Sequence, residues 1–285
     1  MTAHRRKRED GAPLSAREAH LKAFLDGLYF AYCRRELIQP DPLGFLYTCA
    51  PKDREVVGLI ASSLAYGRVA QILRSVQFVL ERLGPHPRQF LLEHTGTLEG
   101  LLGPFRHRFT TAGEMEGLFT KMAAALREHG SLEGLMRCCL ERSGGELFRA
   151  LDFFSDALSS GMGGFPLIPA PRDGSACKRL FLFLKWMTRC DSVDPGGWTA
   201  LSPRDLIMPV DTHIHAIALR LGLTRRKQAD LKAAVEITRA LARLRPEDPT
   251  RYDFVLTRFG IRDGLSVDAL ARLAAGGPPK GPNGV

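Results

Sequence analysis

Apolar residues recur at intervals of three and four along most of the chain, the spacing that lines one face of an α-helix. In the first half, this pattern predicts helices after Ser15 and at 56–66, 69–80, 113–128, 131–142 and 145–159. A connector rich in glycine and proline follows at 161–174, and further helices are predicted at 175–189, 203–207, 211–221, 225–244, 249–259 and 266–275. No stretch alternates apolar and polar residues for long enough to require a strand. We therefore expect an all-α fold.

The two ends of the chain lack this periodicity. Residues 1–14 form a basic polar tail, and residues 276–285 are rich in glycine and proline. Segments of such composition bury too little apolar surface to offset the entropy lost on folding. We expect both ends to be disordered.

The charge balance indicates an anionic partner. The formal net charge is +9, although the apolar content of 45% and the charged content of 25% are ordinary for a globular protein. Between Arg220 and Arg262, eleven lysines and arginines stand against five acids, which accounts for +6 of the total. Such a surface suits nucleic acid, a membrane surface or a phosphorylated ligand. A solvated helical face without a partner is the alternative.

The cysteines and the N-terminus indicate a soluble, cytoplasmic protein. The six cysteines form no C-x-x-C pair, and the basic start leads into Glu9 and Asp10 rather than into the apolar segment of a signal peptide. No apolar run has the length of a membrane span. We expect reduced thiols and no association with a membrane.

The segment 208–215 carries the clearest chemical signal. Pro209 and Val210 deliver the chain in an extended conformation to Asp211, which is predicted to cap the next helix. The free N–H groups and the dipole at a helix N-terminus favour the ionised form of such a carboxylate. An ordinary structural cap is the alternative to a catalytic role.

The motif Val210-Asp211-Thr212-His213, followed by Arg220-Leu221-Gly222-Leu223, closely resembles the segment that carries the catalytic aspartate of the helix-hairpin-helix DNA glycosylases. This superfamily includes endonuclease III and the 8-oxoguanine glycosylases. Residues 37–265 also resemble a bacterial family of uncharacterised proteins placed in that superfamily. The bifunctional members of the superfamily carry a lysine on the second helix of the helix-hairpin-helix motif. Lys178 occupies the corresponding place, 33 positions before Asp211, a spacing similar to that of the archaeal 8-oxoguanine branch.

The hairpin itself departs from the pattern of the superfamily. The usual motif has two glycines that let backbone N–H groups approach a phosphate. Here Gly174 and Ser175 lead to Lys178 with a single glycine, so we expect a degenerate hairpin. Lys185 lies two turns further along the same helical face, and we expect it to form a salt bridge or to face a phosphate.

The resemblance implies two helical subdomains with a cleft between them. Residues 50–175 correspond to a six-helix core, and residues 15–49 with 176–275 correspond to the second subdomain, which carries the hairpin, Lys178 and Asp211. It also implies a monomer that binds damaged double-stranded DNA at the nucleoid and needs no cofactor. An iron–sulfur cluster is not expected, because no cysteine follows Cys190.

The implied reaction is excision of a damaged base, with strand cleavage through a lysine Schiff base, and oxidised guanine is the leading substrate. Tyr66 and Arg68 are candidates for the wedge or for contact with the orphaned base, with core packing and solvent exposure as alternatives. Trp186 and Trp198 are candidates for stacking on the flipped base, and each is equally suited to the core.

Two other functions remain open. Asp211-x-His213-x-His215 resembles the metal site of amidohydrolases, but no histidine follows His215, and residues two apart on a helix diverge. We expect His213 to be buried and to brace the loop of Asp211. A non-catalytic, basic helical DNA-binding module would also use Arg225 and Arg226, which we expect to contact the duplex.

Overall fold

The computed structural model describes residues 13–94, 96–159, 164, 166–261 and 270, and this part of the chain is predominantly helical. The predicted all-α class is confirmed. The α-helices of the described residues are α1 (Ala16–Tyr32), α2 (Arg54–Ser63), α3 (Val69–Leu83), α4 (Pro87–Glu93), α5 (Ala112–His129), α6 (Leu132–Arg142), α7 (Leu147–Ser159), α8 (Lys178–Thr188), α9 (Thr212–Leu221), α10 (Leu231–Leu244) and α11 (Asp253–Ile261). Short 3-10 helices lie at Arg35–Leu37, Pro42–Tyr47, Pro51–Asp53, Pro171–Asp173 and Pro203–Asp205.

Side-chain caps fix where several helices begin. Ser15 and Glu18 form a reciprocal capping box at α1, and Thr111 and Glu114 form another at α5. Asp230 caps α10 by accepting a hydrogen bond from the N–H of Ala233. Each cap satisfies backbone donors that the first turn of a helix leaves without a partner.

The structure corrects several predicted element bounds. The helix predicted at 225–244 begins only at Leu231, because the Arg226 carbonyl accepts from His215 Nε2 at 2.9 Å and Asp230 caps the following turn. The helix predicted at 203–207 is a 3-10 turn, Pro203–Asp205. Helix α4 was not predicted. Apart from residue 270, the predicted helix at 266–275 lies outside the described residues, as do the ends 1–12 and 276–285. Of the connector predicted at 161–174, residues 161–163 and 165 lie outside them.

A small β-hairpin interrupts the helices. Strand β1 (Arg106–His107) pairs antiparallel with β2 (Thr110–Thr111), so that His107 lies opposite Thr110. The strands have two residues each, which is too short for an alternating pattern to show in the sequence.

Helices α2 and α8 form the centre of the core. Every residue of α2 from Val56 to Ser63 is buried, and α8 is buried on nearly all sides. Gly58 permits their close approach, because a Cβ at this position would lie 3.1 Å from Met187 Cε. Helix α2 also packs against the 3-10 segment Pro42–Tyr47. Within the described residues, no helix combines the length and apolarity needed to span a membrane.

Candidate active site

A pocket of about 420 Å³ opens where five parts of the chain meet. Its walls come from the 3-10 segment Pro42–Tyr47, the turn between α2 and α3 together with the first turn of α3, and helices α8, α9 and α11. This volume lies within the range typical of small-molecule sites, about 300–1,000 Å³. The pocket contains both Lys178 and Asp211.

Lys178 and Asp211 form an ion pair in this pocket. The Nζ atom of Lys178 lies 3.1 Å from Oδ2 of Asp211 and donates to the carbonyl of Ala65 at 3.3 Å. The two side chains are 30% and 23% exposed, so a ligand that enters the pocket can reach both of them.

Asp211 is held by its own helix. Its Oδ1 atom accepts the backbone N–H groups of His213 at 3.0 Å and Ile214 at 2.9 Å, which leaves Oδ2 directed at Lys178. Burial alone would raise the pKa of Asp211, but the Lys178 ammonium and the hydrogen bond from Ile214 outweigh it and lower the pKa below its usual value. Asp211 is therefore a carboxylate at neutral pH.

Lys178 is the first residue of α8, and the segment before it has an unusual backbone. Gly174 has φ +74° and Cys177 has φ +47°, both in the left-handed region. The Gly174 carbonyl accepts the N–H of Leu231 at 3.0 Å, and Ser175 forms a β-bridge with Asp230, which ties this segment to the start of α10. The exposed pair Gly174 and Ser175 therefore lies at a fixed turn that leads into the lysine.

Lys185 also lines the pocket, but it is buried in an ionic cluster. Its Nζ atom lies 3.0 Å from both Asp194 and Asp253, and the side chain is 1% exposed. Burial alone would lower the pKa of Lys185, whereas the two aspartates raise it, and the result is a raised pKa. Lys185 forms the salt bridge that we expected as one of its two roles, and its burial excludes contact with a phosphate on the surface.

The two tryptophans occupy different places. Trp186 is buried yet contributes to the wall of the pocket. Trp198 is buried against Phe183, with ring centroids 5.2 Å apart and an edge-on angle of 89°. Trp198 is not part of the pocket wall, so its position matches the core packing that we kept as the alternative.

Tyr66 and Arg68 lie on the turn between α2 and α3 but differ in accessibility. The Tyr66 hydroxyl donates to the His107 carbonyl at 2.8 Å and lies 2.7 Å from Oγ1 of Thr110, so it holds the β-hairpin. Arg68 is exposed and lines the pocket.

The expectation that His213 is buried is wrong. His213 is exposed and lines the pocket, whereas His215 is 8% exposed and bonds to the Arg226 carbonyl. The chain after α9 folds back over His215. His215, and not His213, is therefore the buried histidine, and its hydrogen bond holds the returning chain at Arg226. Among the described residues, no group of three or more histidines, cysteines or acids is arranged to hold a metal ion.

The two arginines of the basic C-terminal segment are not equivalent. Arg225 is exposed, and its backbone N–H donates to Glu236 at 3.3 Å. Arg226 pairs through Nη2 with Asp230 at 2.9 Å. The Arg225 guanidinium is therefore the better placed of the two for an external anion.

Several pocket residues were not predicted from the sequence. Asp253 and Arg258 line the pocket from α11. Asp41, the residue before the 3-10 segment Pro42–Tyr47, also lines it. Arg258 is fully buried and pairs with Asp41 through Nη2. Asp41 caps the 3-10 segment Pro42–Tyr47, and Arg258 lies within α11. Nothing near either residue in the sequence distinguishes it from an ordinary surface residue.

A family model described as a protein of unknown function (DUF2400) matches residues 41–262. The chain belongs to this family. The matched region begins at Asp41 and extends beyond Arg258, so it includes every residue that lines the pocket. Neither a curated protein nor a solved structure matches the chain.

Proposed function

We propose that this protein is a DNA glycosylase that excises a damaged base, with Lys178 as nucleophile and Asp211 as its electrostatic partner. The observation that carries the proposal is the 3.1 Å contact between Lys178 Nζ and Asp211 Oδ2 inside a pocket. A lysine and an aspartate 33 positions apart meet there, although neither needs the other to complete its own helix.

The chemistry assigned to Lys178 begins when its ammonium gives up a proton to solvent, so that Asp211 stays ionised. The neutral amine attacks the anomeric carbon of the sugar, and a nitrogen–carbon bond forms while the bond to the base breaks. The base leaves with the electron pair and takes up a proton released from the attacking nitrogen. The sugar ring then opens as a carbon–nitrogen double bond forms and the ring oxygen takes a proton from solvent. This Schiff base is the intermediate from which strand cleavage follows.

Asp211 serves this reaction through its charge. Its lowered pKa keeps it ionised, and its Oδ2 atom already faces the lysine that must lie next to the sugar. A fixed carboxylate stabilises the positive charge that develops on the sugar as the base departs. Because Oδ1 is bonded to His213 and Ile214, the carboxylate needs no reorganisation during the reaction.

The surroundings of the pair agree with a flipped base as ligand. A base must leave the duplex before an enzyme can act on its glycosidic bond, and it then needs a pocket with aromatic walls. Trp186 and Phe254 contribute such walls. We further propose that the pocket lies between the two subdomains implied by the sequence resemblance, and that Gly174 and Ser175 form the degenerate hairpin that contacts the DNA backbone. Oxidised guanine is the leading substrate.

A panel of duplexes with single lesions tests the proposal. Wild-type protein should release the base from at least one lesion, whereas Lys178→Gln should bind the same duplex and release none. Equal release by both proteins would refute the role of Lys178. Salt-sensitive binding without release from any lesion would favour a non-catalytic DNA-binding module.

A further inference from the structure

The β-hairpin carries an exposed aromatic ring at its tip. Phe109 is 61% exposed, whereas its neighbours His107 and Thr110 are fully buried. Arg108, between Phe109 and His107, has φ +52°, a left-handed conformation that is uncommon outside glycine. A single exposed phenylalanine is ordinary on a protein surface. This one is different because the surrounding structure fixes its position.

The rings of Tyr66 and His107 hold the hairpin in place. The Tyr66 hydroxyl contacts the His107 carbonyl and the Thr110 hydroxyl, and it accepts the Thr110 backbone N–H at 3.2 Å. The His107 ring lies 3.0 Å from the Tyr66 carbonyl and 2.8 Å from Ser75 Oγ. The hairpin is thus bonded to the α2–α3 turn at Tyr66 and to α3 at Ser75.

The same turn connects the hairpin tip to the pocket. A Cβ on Gly67 would lie 2.6 Å from Arg108 Cδ, so the stem of Arg108 lies directly against Gly67. Gly67 and Arg68 line the pocket, and the carbonyl of Ala65, two residues before Gly67, accepts from Lys178. Phe109 is therefore carried by a hydrogen-bonded unit that also forms one wall of the candidate active site.

We propose that Phe109 is the wedge that enters the duplex at the position vacated by the flipped base. The inference rests on the proposed glycosylase function, because the flipped base leaves the gap in the duplex that the ring would fill. Apolar side chains inserted between base steps are a recurrent means of opening a duplex, and phenylalanine is among the residues used. Tyr66, a candidate for this role from the sequence, is instead the residue that positions the wedge.

The charges around the tip indicate a nucleic acid as the partner. Arg68, Arg106 and Arg108 are all exposed on this unit. The Arg108 guanidinium lies 5.5 Å from the centre of the Phe109 ring. Its positive charge therefore lies beside the ring when the ring enters a duplex. A phenyl ring flanked by arginines matches a base stack bordered by phosphates.

The test compares Phe109→Ala with Phe30→Ala, since Phe30 is also an exposed phenylalanine (72%) but lies on α1, outside the hairpin and the pocket. The probe is a duplex with a tetrahydrofuran abasic site beside a 2-aminopurine, which reports unstacking without any base excision. Wild type and Phe30→Ala should raise the fluorescence equally. Phe109→Ala should bind about tenfold more weakly and lose the fluorescence change, and Phe109→Leu should restore much of it. A Phe109→Ala protein that behaves like Phe30→Ala would overturn the proposal.

Excision separates failure of the wedge from failure of the proposed catalysis. If Phe109→Ala releases a base from duplex DNA at the wild-type rate, the wedge is refuted and the catalytic proposal stands. If wild type releases no base but the fluorescence response still depends on Phe109, the wedge is supported and the catalytic proposal falls.

Discussion

Replacing Asp211 by asparagine separates its structural role from its proposed catalytic one. The Oδ1 atom accepts two backbone N–H groups at the start of α9, and Oδ2 faces the Lys178 ammonium. An asparagine retains an oxygen that accepts the two hydrogen bonds, but it lacks the negative charge. The substitution therefore removes the ion pair and leaves the cap.

The structure gives the expected magnitudes. Asparagine caps helices about as well as aspartate, and a partly exposed ion pair contributes about 0–1 kcal/mol, so the free energy of unfolding should fall by at most about 1 kcal/mol. Loss of a fixed charge that stabilises a transition state typically costs a hundredfold or more in rate, about 3 kcal/mol. The loss in the excision rate, about 3 kcal/mol, should therefore exceed the loss in the free energy of unfolding, at most about 1 kcal/mol.

Asp230→Asn is a matched control for this substitution. Asp230 caps α10 through Ala233, and its Oδ2 lies 2.9 Å from Arg226, so it combines a cap with a cation partner as Asp211 does. Denaturant unfolding should show similar small losses of stability for both variants, whereas single-turnover excision should fall only for Asp211→Asn. Near-normal excision by a folded Asp211→Asn protein would show that Asp211 is only a cap.

Three further predictions concern the surrounding structure. Lys185→Met should lower the free energy of unfolding by about 3–5 kcal/mol, because it leaves the buried carboxylate of Asp253 without its cation and leaves Asp194 paired with Arg189 alone; a loss below about 1 kcal/mol in denaturant unfolding would contradict this. The pKa of Asp191 is lowered from 3.8 to about 2, because Arg189 and backbone N–H groups outweigh burial. Its folded-state value lies below the unfolded one, so Asp191→Asn should cost about 2 kcal/mol above pH 4, and this difference should fade as the pH falls toward 2. If the stability difference between wild type and Asp191→Asn persists unchanged at pH 2, the lowered pKa of Asp191 is contradicted. Arg225→Glu should weaken duplex binding and reduce its salt dependence more than Arg226→Glu, because Arg226 is already paired with Asp230; equal effects in a salt titration would argue against this difference.

The sequence predicted those features that depend on local structure. The cap at Asp211 follows from residues 209–214 alone, and the helical class follows from apolar spacing. The contact between Lys178 and Asp211 was inferred from resemblance, and their position in one pocket agrees with that inference.

Features that depend on tertiary contacts were missed. His213 and His215 point in different directions from α9, and the sequence does not show that the chain returns at Thr224–Arg226 to cover His215 rather than His213. The residues 225–229 include good helix formers, but the bond between His215 and the Arg226 carbonyl keeps this segment out of α10. The hairpin at 106–111 depends on the hydroxyl of Tyr66, which is 40 or more positions away in the sequence.

Borohydride trapping during turnover tests the central claim most directly, because it reports which lysine forms the covalent intermediate. Reduction of the Schiff base should link the protein to the DNA, and mass spectrometry should locate the adduct on Lys178. Lys178→Gln should form no adduct and still bind the duplex. An adduct on Lys185 would contradict the account, because this amine is buried between Asp194 and Asp253. Continued base release by wild type without any adduct would show that water, and not Lys178, is the nucleophile.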